Sequence, residues 1–192
     1  TRAYLQAPIT FDKAAVKQIL YAMQAGMAGN STAIGDALGL ALTLYNRVWM
    51  EEAEGCRIEA ADGVPIPTDE SNMIYHTARL LFERFGRPFH GLHIIQENNI
   101  PMTRGLGSSS ACLVAGLLGA NTLLGSPLSR EDICDLATEL EGHPDNVAPA
   151  LLGGLVTAVM EDKRVYTVSV PVSERIRFAL FIPDFELKTE TA

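Results

Sequence analysis

The spacing of hydrophobic residues predicts four helices along the chain. Apolar side chains recur at intervals close to 3.6 residues over residues 12–26, which is typical of an amphipathic helix, and Gly26 is expected to end it. Three further helices are predicted over residues 68–86, 108–124 and 129–140. The last of these opens on Ser129-Arg130-Glu131-Asp132, a sequence close to a capping box.

Alternating and continuous apolar runs predict the strands. Residues 38–52 alternate loosely, as one half-buried strand would, and residues 56–60 lead into Asp62-Gly63, a pair typical of hairpin turns. Further strands are predicted over residues 92–95, 153–160, 165–170 and 175–182. Strands mixed with helices in this order favour an α+β domain over a repeating βαβ sheet.

Composition narrows the classes of function. A chain of 192 residues with 47% apolar content suits one domain, or one domain with part of another. The net charge of −8 and the lack of Lys/Arg clusters argue against a nucleic-acid partner. Three irregularly spaced cysteines predict neither a disulfide framework nor a zinc site, so a reducing cytoplasm is expected. The most apolar segment, 147–156, is short and broken by Pro and Gly, so no membrane partner is expected.

A glycine-rich loop immediately before the predicted helix at 108 carries the first candidate chemistry. Gly105 and Gly107 allow the backbone to approach a ligand closely and to adopt positive φ. A helix starting at the serines 108–110 would point unpaired N–H groups and a positive dipole end at whatever fills the loop. These features predict a cradle for phosphate groups.

This loop follows neither the Walker order nor that of dinucleotide-binding folds, and no lysine follows its second glycine. The positive charge that stabilises a bound phosphate would therefore come from Arg104, Lys163 or a metal ion. The alternative is an ordinary turn that caps a buried helix, with Ser108 or Ser109 as the N-cap residue.

The segment from Glu139 to Pro149 carries the second candidate chemistry. Within its first eight residues lie five groups able to bind a metal ion or to form hydrogen bonds: Glu139, Glu141, His143, Asp145 and Asn146. Carboxylates suit Mg²⁺, and the histidine and asparagine suit a small polar substrate. The alternative is a solvated loop, because Gly-His-Pro-Asp-Asn is also turn chemistry.

With these two motifs in this order, the sequence resembles the homoserine kinase family, whose superfamily also holds galactokinase, mevalonate kinase and phosphomevalonate kinase. Residues 101–111 match the superfamily's phosphate loop, and residues 141–150 are most similar to homoserine kinases. The likeness runs from about Asp36 to Ala192. It implies the superfamily's N-terminal domain, a ribosomal protein S5 domain 2-like mixed sheet packed with helices, with the C-terminal ferredoxin-like domain largely missing.

The resemblance also implies an activity and its residues: ATP-dependent phosphorylation of the hydroxyl of L-homoserine, in threonine biosynthesis. The residues implied to bind ATP are Asn72, Pro101, Arg104, Gly105, Leu106, Gly107, Ser108, Ser109 and Ser110. Mg²⁺ would be held by Ser109 and Glu139, with Glu141 as the fallback ligand. Homoserine would be bound by Asn30, Asp36, His143 and Asn146, with Asn146 and Arg2 assigned to catalysis and no general base nominated.

The front of the chain departs from the family. Residues 30–36 keep the Asn and Asp of a substrate loop but lack its Gly-Pro-Gly-Phe core. Residues 1–16 look like the continuation that relatives have after the position of Ala192. We therefore hypothesise a rearranged or engineered chain with three parts: a displaced helical segment over 1–29, an ATP-binding kinase domain over 30–170, and the start of a C-terminal domain over 171–192. The alternative is an unrelated N-terminal helix.

Other expectations are less specific. A homodimer is expected for the family. The first alternative function is a nucleotide-binding scaffold without turnover, and the second is a kinase for another small alcohol. Four aromatic residues are expected in or near the core: Trp49, Phe82, Phe85 and Phe89.

Overall fold

The computed structural model describes residues 38–173, 175–180 and 182. Within these residues the order of elements is β1, β2, β3, α1, β4, α2, α3, α4, β5, β6. Their bounds are Leu38–Leu40 (β1), Asn46–Glu52 (β2), Gly55–Ala60 (β3), Met73–Arg84 (α1), Gly91–Asn98 (β4), Ser108–Leu123 (α2), Arg130–Glu141 (α3), Pro144–Leu152 (α4), Leu155–Glu161 (β5) and Arg164–Val170 (β6). The predicted α+β class is confirmed.

The chain divides into two compact units. Of the described residues, the first unit holds 38–42, 103–105 and those from Cys134 onward. The second unit holds 43–102 and 106–133. The helix over 12–26, and the candidate residues Arg2, Asn30 and Asp36, lie outside the described residues.

The second unit is built on a three-stranded sheet in the order β2-β4-β3. β4 lies in the centre, antiparallel to β2 and parallel to β3. The residues of β4 alternate between buried and half-buried. One face of this sheet packs against α1 and α2, which belong to the same unit. α1 buries six side chains: Ile74, Tyr75, Thr77, Ala78, Leu81 and Phe82. Gly116 lets α2 approach α1 closely, since an added Cβ would lie 2.7 Å from the Ile74 carbonyl oxygen.

Two local predictions in this region are wrong. Asp62-Gly63 does not form a hairpin, because β3 and β4 are parallel and are connected through α1. Asp62 instead ties the sheet together at this end: its carboxylate accepts the Asn98 N–H at 2.7 Å and the Val64 N–H at 3.0 Å. The single strand predicted over 38–52 is two strands that belong to different sheets. Alternation alone cannot show where a strand changes its pairing partner.

The first unit contains the sheet β1-β5-β6, in which all neighbours are antiparallel. α4 packs against β1 and β5 and buries Pro144, Val147, Ala148, Pro149 and Leu151. The strands predicted near 153–160 and 165–170 are confirmed as β5 and β6. The strand predicted over 175–182 appears, in its described residues, as a single bridge at Phe178.

The aromatic residues divide between core and surface. Phe82 is buried, as predicted, and packs edge-to-face on half-buried Phe89. Trp49 was expected near the core but is 53% exposed. Trp49 pairs with Ile95 of β4. The face of the sheet that carries these two residues also carries half-buried His93 and Glu97, and it lies opposite the face with the buried residues of β4.

Candidate functional site

The glycine-rich loop ends in an unusual helix start. Gly105 and Gly107 both have φ of 70°, the left-handed conformation that glycine adopts without strain. Gly107, and not Ser108 or Ser109, is the N-cap residue of α2, and no side chain caps this end by a hydrogen bond from the N-cap position. The Ala111 N–H donates to the Gly107 carbonyl at 3.0 Å and begins the helical ladder. The helical hydrogen bonds given for α2 thus begin at Ala111, and helix starts of this kind can bind anions.

The three serines of this start differ in their surroundings. Ser110 is fully buried, whereas Ser109 is exposed and its hydroxyl lies 3.5 Å from the Met73 sulfur. Ser108 is half-buried. Ser108 and Ser109 are therefore the residues of this turn whose hydroxyls can meet a ligand.

The rest of the loop is partly exposed. Pro101, Arg104 and Leu106 are half-buried. The Arg104 guanidinium donates to the carbonyl oxygen of Thr103, its neighbour in the chain, at 3.3 Å. This contact lies within the loop and leaves the predicted role of Arg104 toward phosphate as a prediction.

Asn72 is the N-cap residue of α1. Its side chain is 3% exposed, and its carbonyl oxygen accepts the N–H groups of Ile74 and Tyr75 at 2.9 and 3.4 Å. Its amide donates to the Pro67 carbonyl at 2.9 Å and to the Gln96 side chain at 3.4 Å. These are the contacts of a helix cap, and the contact with adenosine stays a prediction.

Polar side chains beneath the start of α2 were missed from the sequence. Asn46 and Gln96 donate to the Cys112 sulfur at 3.4 and 3.8 Å. Burial raises the pKa of the Cys112 thiol, and these two hydrogen bonds offset only part of the effect. The raised pKa keeps Cys112 in its thiol form near neutral pH. The inward-facing positions of Asn46 on β2 and Gln96 on β4 depend on strand register, which the sequence does not reveal.

The acidic segment forms the junction of α3 and α4. Gly142, with φ of 96°, separates the two helices, and His143 is the N-cap residue of α4 with Pro144 at its first turn. The His143 ring contacts the Asp145 carboxylate through Nδ1, and the same carboxylate oxygen accepts the Asn146 N–H at 2.9 Å. Asp145 thus contacts both His143 and Asn146, and the segment from Pro144 onward is a helix rather than a loop.

Glu139 and Glu141 lie in the last turn of α3. Glu139 forms an ion pair with Lys163, whose ammonium lies 3.3 Å away, and both side chains are largely exposed. Glu141 is half-buried. Among residues 38–173, 175–180 and 182, no three His, Cys, Asp or Glu side chains form a metal-binding group.

Part of the chain is similar to a known family. Residues 72–154 match the family model of the GHMP kinases N terminal domain. The segment contains both motifs, from the glycine-rich loop to the start of α4.

The chain is also similar to homoserine kinases. It is 46% identical over 159 residues to the homoserine kinase of Caldicellulosiruptor bescii, covering 82% of this chain and 52% of that protein. It is 41% identical over 160 residues to the homoserine kinase of Clostridium botulinum strain Alaska E43, covering 82% and 53%. The crystal structure of homoserine kinase from Cytophaga hutchinsonii matches with a TM-score of 0.61 at 30% identity, over 82% of this chain and 53% of that one. The chain spans about half the length of the curated relatives it matches.

Proposed function

We propose that this chain serves ATP-dependent phosphorylation of the hydroxyl of L-homoserine, which yields O-phospho-L-homoserine and ADP. The observation that carries the proposal is the start of α2, where a glycine N-cap with φ of 70° and no side-chain cap stands at the positive end of the helix dipole. An anionic ligand is favoured there by the amides and by the helix dipole. The 41–46% identity to homoserine kinases supports the choice of substrate.

The glycine-rich loop would hold the triphosphate. The amides of residues 105–110 surround the phosphates, with Arg104 as a neighbouring cation and Asn72 near the adenosine. Ser109 contributes its exposed hydroxyl to the metal.

Mg²⁺ is proposed as the metal because the donors suit it. Magnesium is usually bound by one or two carboxylates together with substrate phosphates, and it keeps several waters. Glu139 offers an exposed carboxylate, with Glu141 as the fallback ligand, and Ser109 offers a hydroxyl. When bound, the metal neutralises charge on the phosphates.

Homoserine is proposed to contact His143 and Asn146 at the start of α4. Its hydroxyl oxygen attacks the γ-phosphorus, the bond from that phosphorus to the bridging oxygen of ADP breaks, and the hydroxyl proton passes to water. Such transfers depend on positioning and charge neutralisation more than on a strong base. Asn30 and Asp36 remain proposed substrate-binding residues, and Arg2 and Asn146 proposed catalytic residues; of these, Arg2, Asn30 and Asp36 lie outside the described part of the chain.

The setting of the reaction is proposed with it. Threonine biosynthesis in the cytoplasm, a homodimer and no nucleic-acid partner are the expectations. Within the described residues, no helix is both long and apolar enough to cross a bilayer.

A coupled assay of ADP formation tests the function. Homoserine-dependent turnover is expected from the wild-type chain, and nucleotide binding without turnover would favour the scaffold instead. Ser109→Ala and Glu139→Ala should each weaken Mg²⁺-dependent ATP binding about tenfold or more. Matched controls are Ser169→Ala in β6 and Glu83→Ala in α1, where Glu83 pairs with Arg79 as Glu139 pairs with Lys163. If all four variants bind ATP equally, the assignment of the loop is wrong.

A further inference from the structure

Among the described residues, β2 is an edge strand that pairs only with β4. The Ala53 N–H donates to the Gly91 carbonyl at 3.1 Å and continues this antiparallel ladder past the end of the strand. Because hydrogen-bonded and non-hydrogen-bonded pairs alternate along such a ladder, the odd-numbered residues of β2 bond to β4. The even-numbered residues direct their N–H and C=O groups away from β4: Asn46, Val48, Met50 and Glu52.

A groove lies beneath this edge, between β2 and α2 of the same unit. Its volume is about 320 Å³, and its lining includes Val48 and Met50 from β2 and Ala115 and Gly119 from α2. α2 contains no charged residue, and a helix that is apolar all round is typical of a core. Ala115 and Gly119 are nevertheless only half-buried by the described residues. The composition of α2 therefore predicts that a further element covers this groove.

The opposite face of β2 exposes two aromatic side chains and two opposite charges. Tyr45, just before the strand, is 58% exposed, and Trp49 is 53% exposed. Arg47 and Glu51 stand two residues on either side of Trp49 and share its face, because side chains alternate between faces along a strand. The strand contains neither Lys nor Pro, which commonly protect a sheet edge. A partly apolar edge of this kind is a template for pairing with another chain.

We propose that β2 pairs antiparallel with β2 of a second copy of this chain, about a two-fold axis at Trp49. In this arrangement Trp49 faces the partner's Trp49, and Arg47 faces the partner's Glu51. On the other face of the sheet, Val48 lies beside the partner's Met50. The surface is self-complementary, as a two-fold dimer requires. This inference does not rest on the function proposed above.

The directions of the backbone groups agree with this register. Val48 and the partner's Met50 both point their N–H and C=O groups across the interface, so they exchange two hydrogen bonds. Trp49 and Arg47 then occupy non-hydrogen-bonded pairs, in which facing side chains lie closest together. Aromatic pairs and opposite charges in such positions stabilise a sheet.

The charges favour this register over its neighbours. The Arg47 guanidinium donates to Glu97 at 2.6 Å, and with five N–H donors it can also bind the partner's Glu51. A slip of two residues would place Arg47 opposite the partner's Trp49 or Ala53, and both Arg–Glu pairs of the dimer would be lost. A slip of one residue would put the inner face of one strand beside the outer face of the other.

The same pairing covers the groove. The partner's Val48 and Met50 continue the apolar inner face of the sheet beyond the β2 edge. Because the two-fold axis stands perpendicular to the joined sheet, the two α2 helices lie on the same face of it, with their groove sides toward each other. Ala115 and Gly119, four residues apart, are small, and the distance between packed helices depends on the side chains at the contact.

Sedimentation velocity of the full chain at low salt tests the interface. The wild type should form a dimer at micromolar concentration. Arg47→Glu puts two carboxylates opposite each other, and Glu51→Arg puts two cations opposite each other, at two places in each dimer. Each variant alone should raise the dissociation constant about tenfold or more, since like charges that face each other across strands are destabilising. An equimolar mixture of the two variants restores both Arg–Glu pairs and should associate as the wild type does.

Arg57→Glu and Glu59→Arg are the matched controls. They reverse the charges of an exposed pair, 2.7 Å apart, on β3 at the other edge of the same sheet. Neither should change the dissociation constant by more than about twofold, because substitutions away from an interface act independently of it. Trp49 is the chain's one tryptophan, so its fluorescence reports directly on the proposed axis. Its emission should shift to shorter wavelength with the same concentration dependence as dimer formation.

Three results would overturn the proposal. The first is a wild type that stays monomeric up to about 100 μM, including the case in which another segment of the same chain pairs with β2. The second is a dimer that neither charge reversal weakens, or a mixture of the two variants that does not recover. The third is a dimer whose formation leaves the Trp49 emission unchanged. In the last two cases the copies associate through another surface.

Discussion

Gly39→Ala is predicted to damage the first unit and the start of α4 together. The added methyl would lie 1.8 Å from the Asp145 carbonyl oxygen, and ordinary van der Waals contact begins near 3.4 Å. The neighbouring atom belongs to the backbone, so no side-chain rotation relieves the overlap. Either β1 or the start of α4 must move.

The magnitude follows from two opposing effects. Inserting an extra methyl group into a well-packed region costs about 1–3 kcal/mol. Replacing glycine also restricts the unfolded chain, which returns about 0.4–1 kcal/mol. A net loss of about 1–2 kcal/mol is expected, which corresponds to a fall in Tm of roughly 2–8 °C for a chain of this size. A displacement of about 1 Å at His143 and Asn146 can lower kcat/KM for homoserine about 100-fold.

The assay is thermal unfolding paired with homoserine kinetics, and Gly119→Ala is the matched control. At Gly119 the added methyl meets only the flexible end of Met50, at 2.8 Å, and alanine gains up to about 1 kcal/mol inside a helix. Gly119→Ala should therefore keep or raise Tm. If Gly39→Ala behaves like this control in both measurements, the contact between β1 and α4 does not position the site.

Three further predictions concern the scaffold. Asn72→Ala should lower the free energy of unfolding by about 1–2 kcal/mol, measured by urea titration, because α1 loses its cap and the Gln96 side chain loses a partner. Thr138→Val should leave the free energy of unfolding unchanged or raise it by about 1 kcal/mol, because the buried Thr138 hydroxyl has no hydrogen-bond partner among the described residues. A fall in the free energy of unfolding of more than about 1 kcal/mol would contradict this prediction. The N–H groups of Val64 and Asn98 lower the pKa of Asp62, the Val64 bond more strongly. The stability from Asp62 should therefore be complete above its ordinary pKa near 3.9 and fade as pH falls through the lowered value, so the difference between wild type and Asp62→Asn should vanish in acid titrations.

Local chemistry made several features predictable from sequence. The capping box at Ser129 forms because its partner, Asp132, is only three residues away: each side chain accepts the other's backbone N–H. The start of α2 at Ser108 was expected from the glycines and the apolar run after them. In such cases the residues that decide the structure lie within one helical turn of each other.

Features that depend on distant residues were not predictable in the same way. The parallel pairing of β3 and β4 joins residues more than 30 positions apart, and the turn pair Asp62-Gly63 favoured a hairpin instead. α4 was missed because Pro149 argues against a helix interior, and the sequence does not reveal that Gly39 of β1 lies close to the Asp145 carbonyl and to the Pro149 ring. For the same reason Asp145 had no assigned role before its contacts with His143 and Asn146 were known.

A titration of the ¹⁵N-labelled chain with ATP and Mg²⁺ tests the central claim most directly, because it reports on individual backbone amides. The amides of Gly107 to Ser110 should show the largest shifts, and Gly107→Ala, which forces alanine into φ of 70°, should weaken binding about tenfold or more. ATP binding that leaves these four amides unchanged, or no binding by the folded chain, would contradict the account.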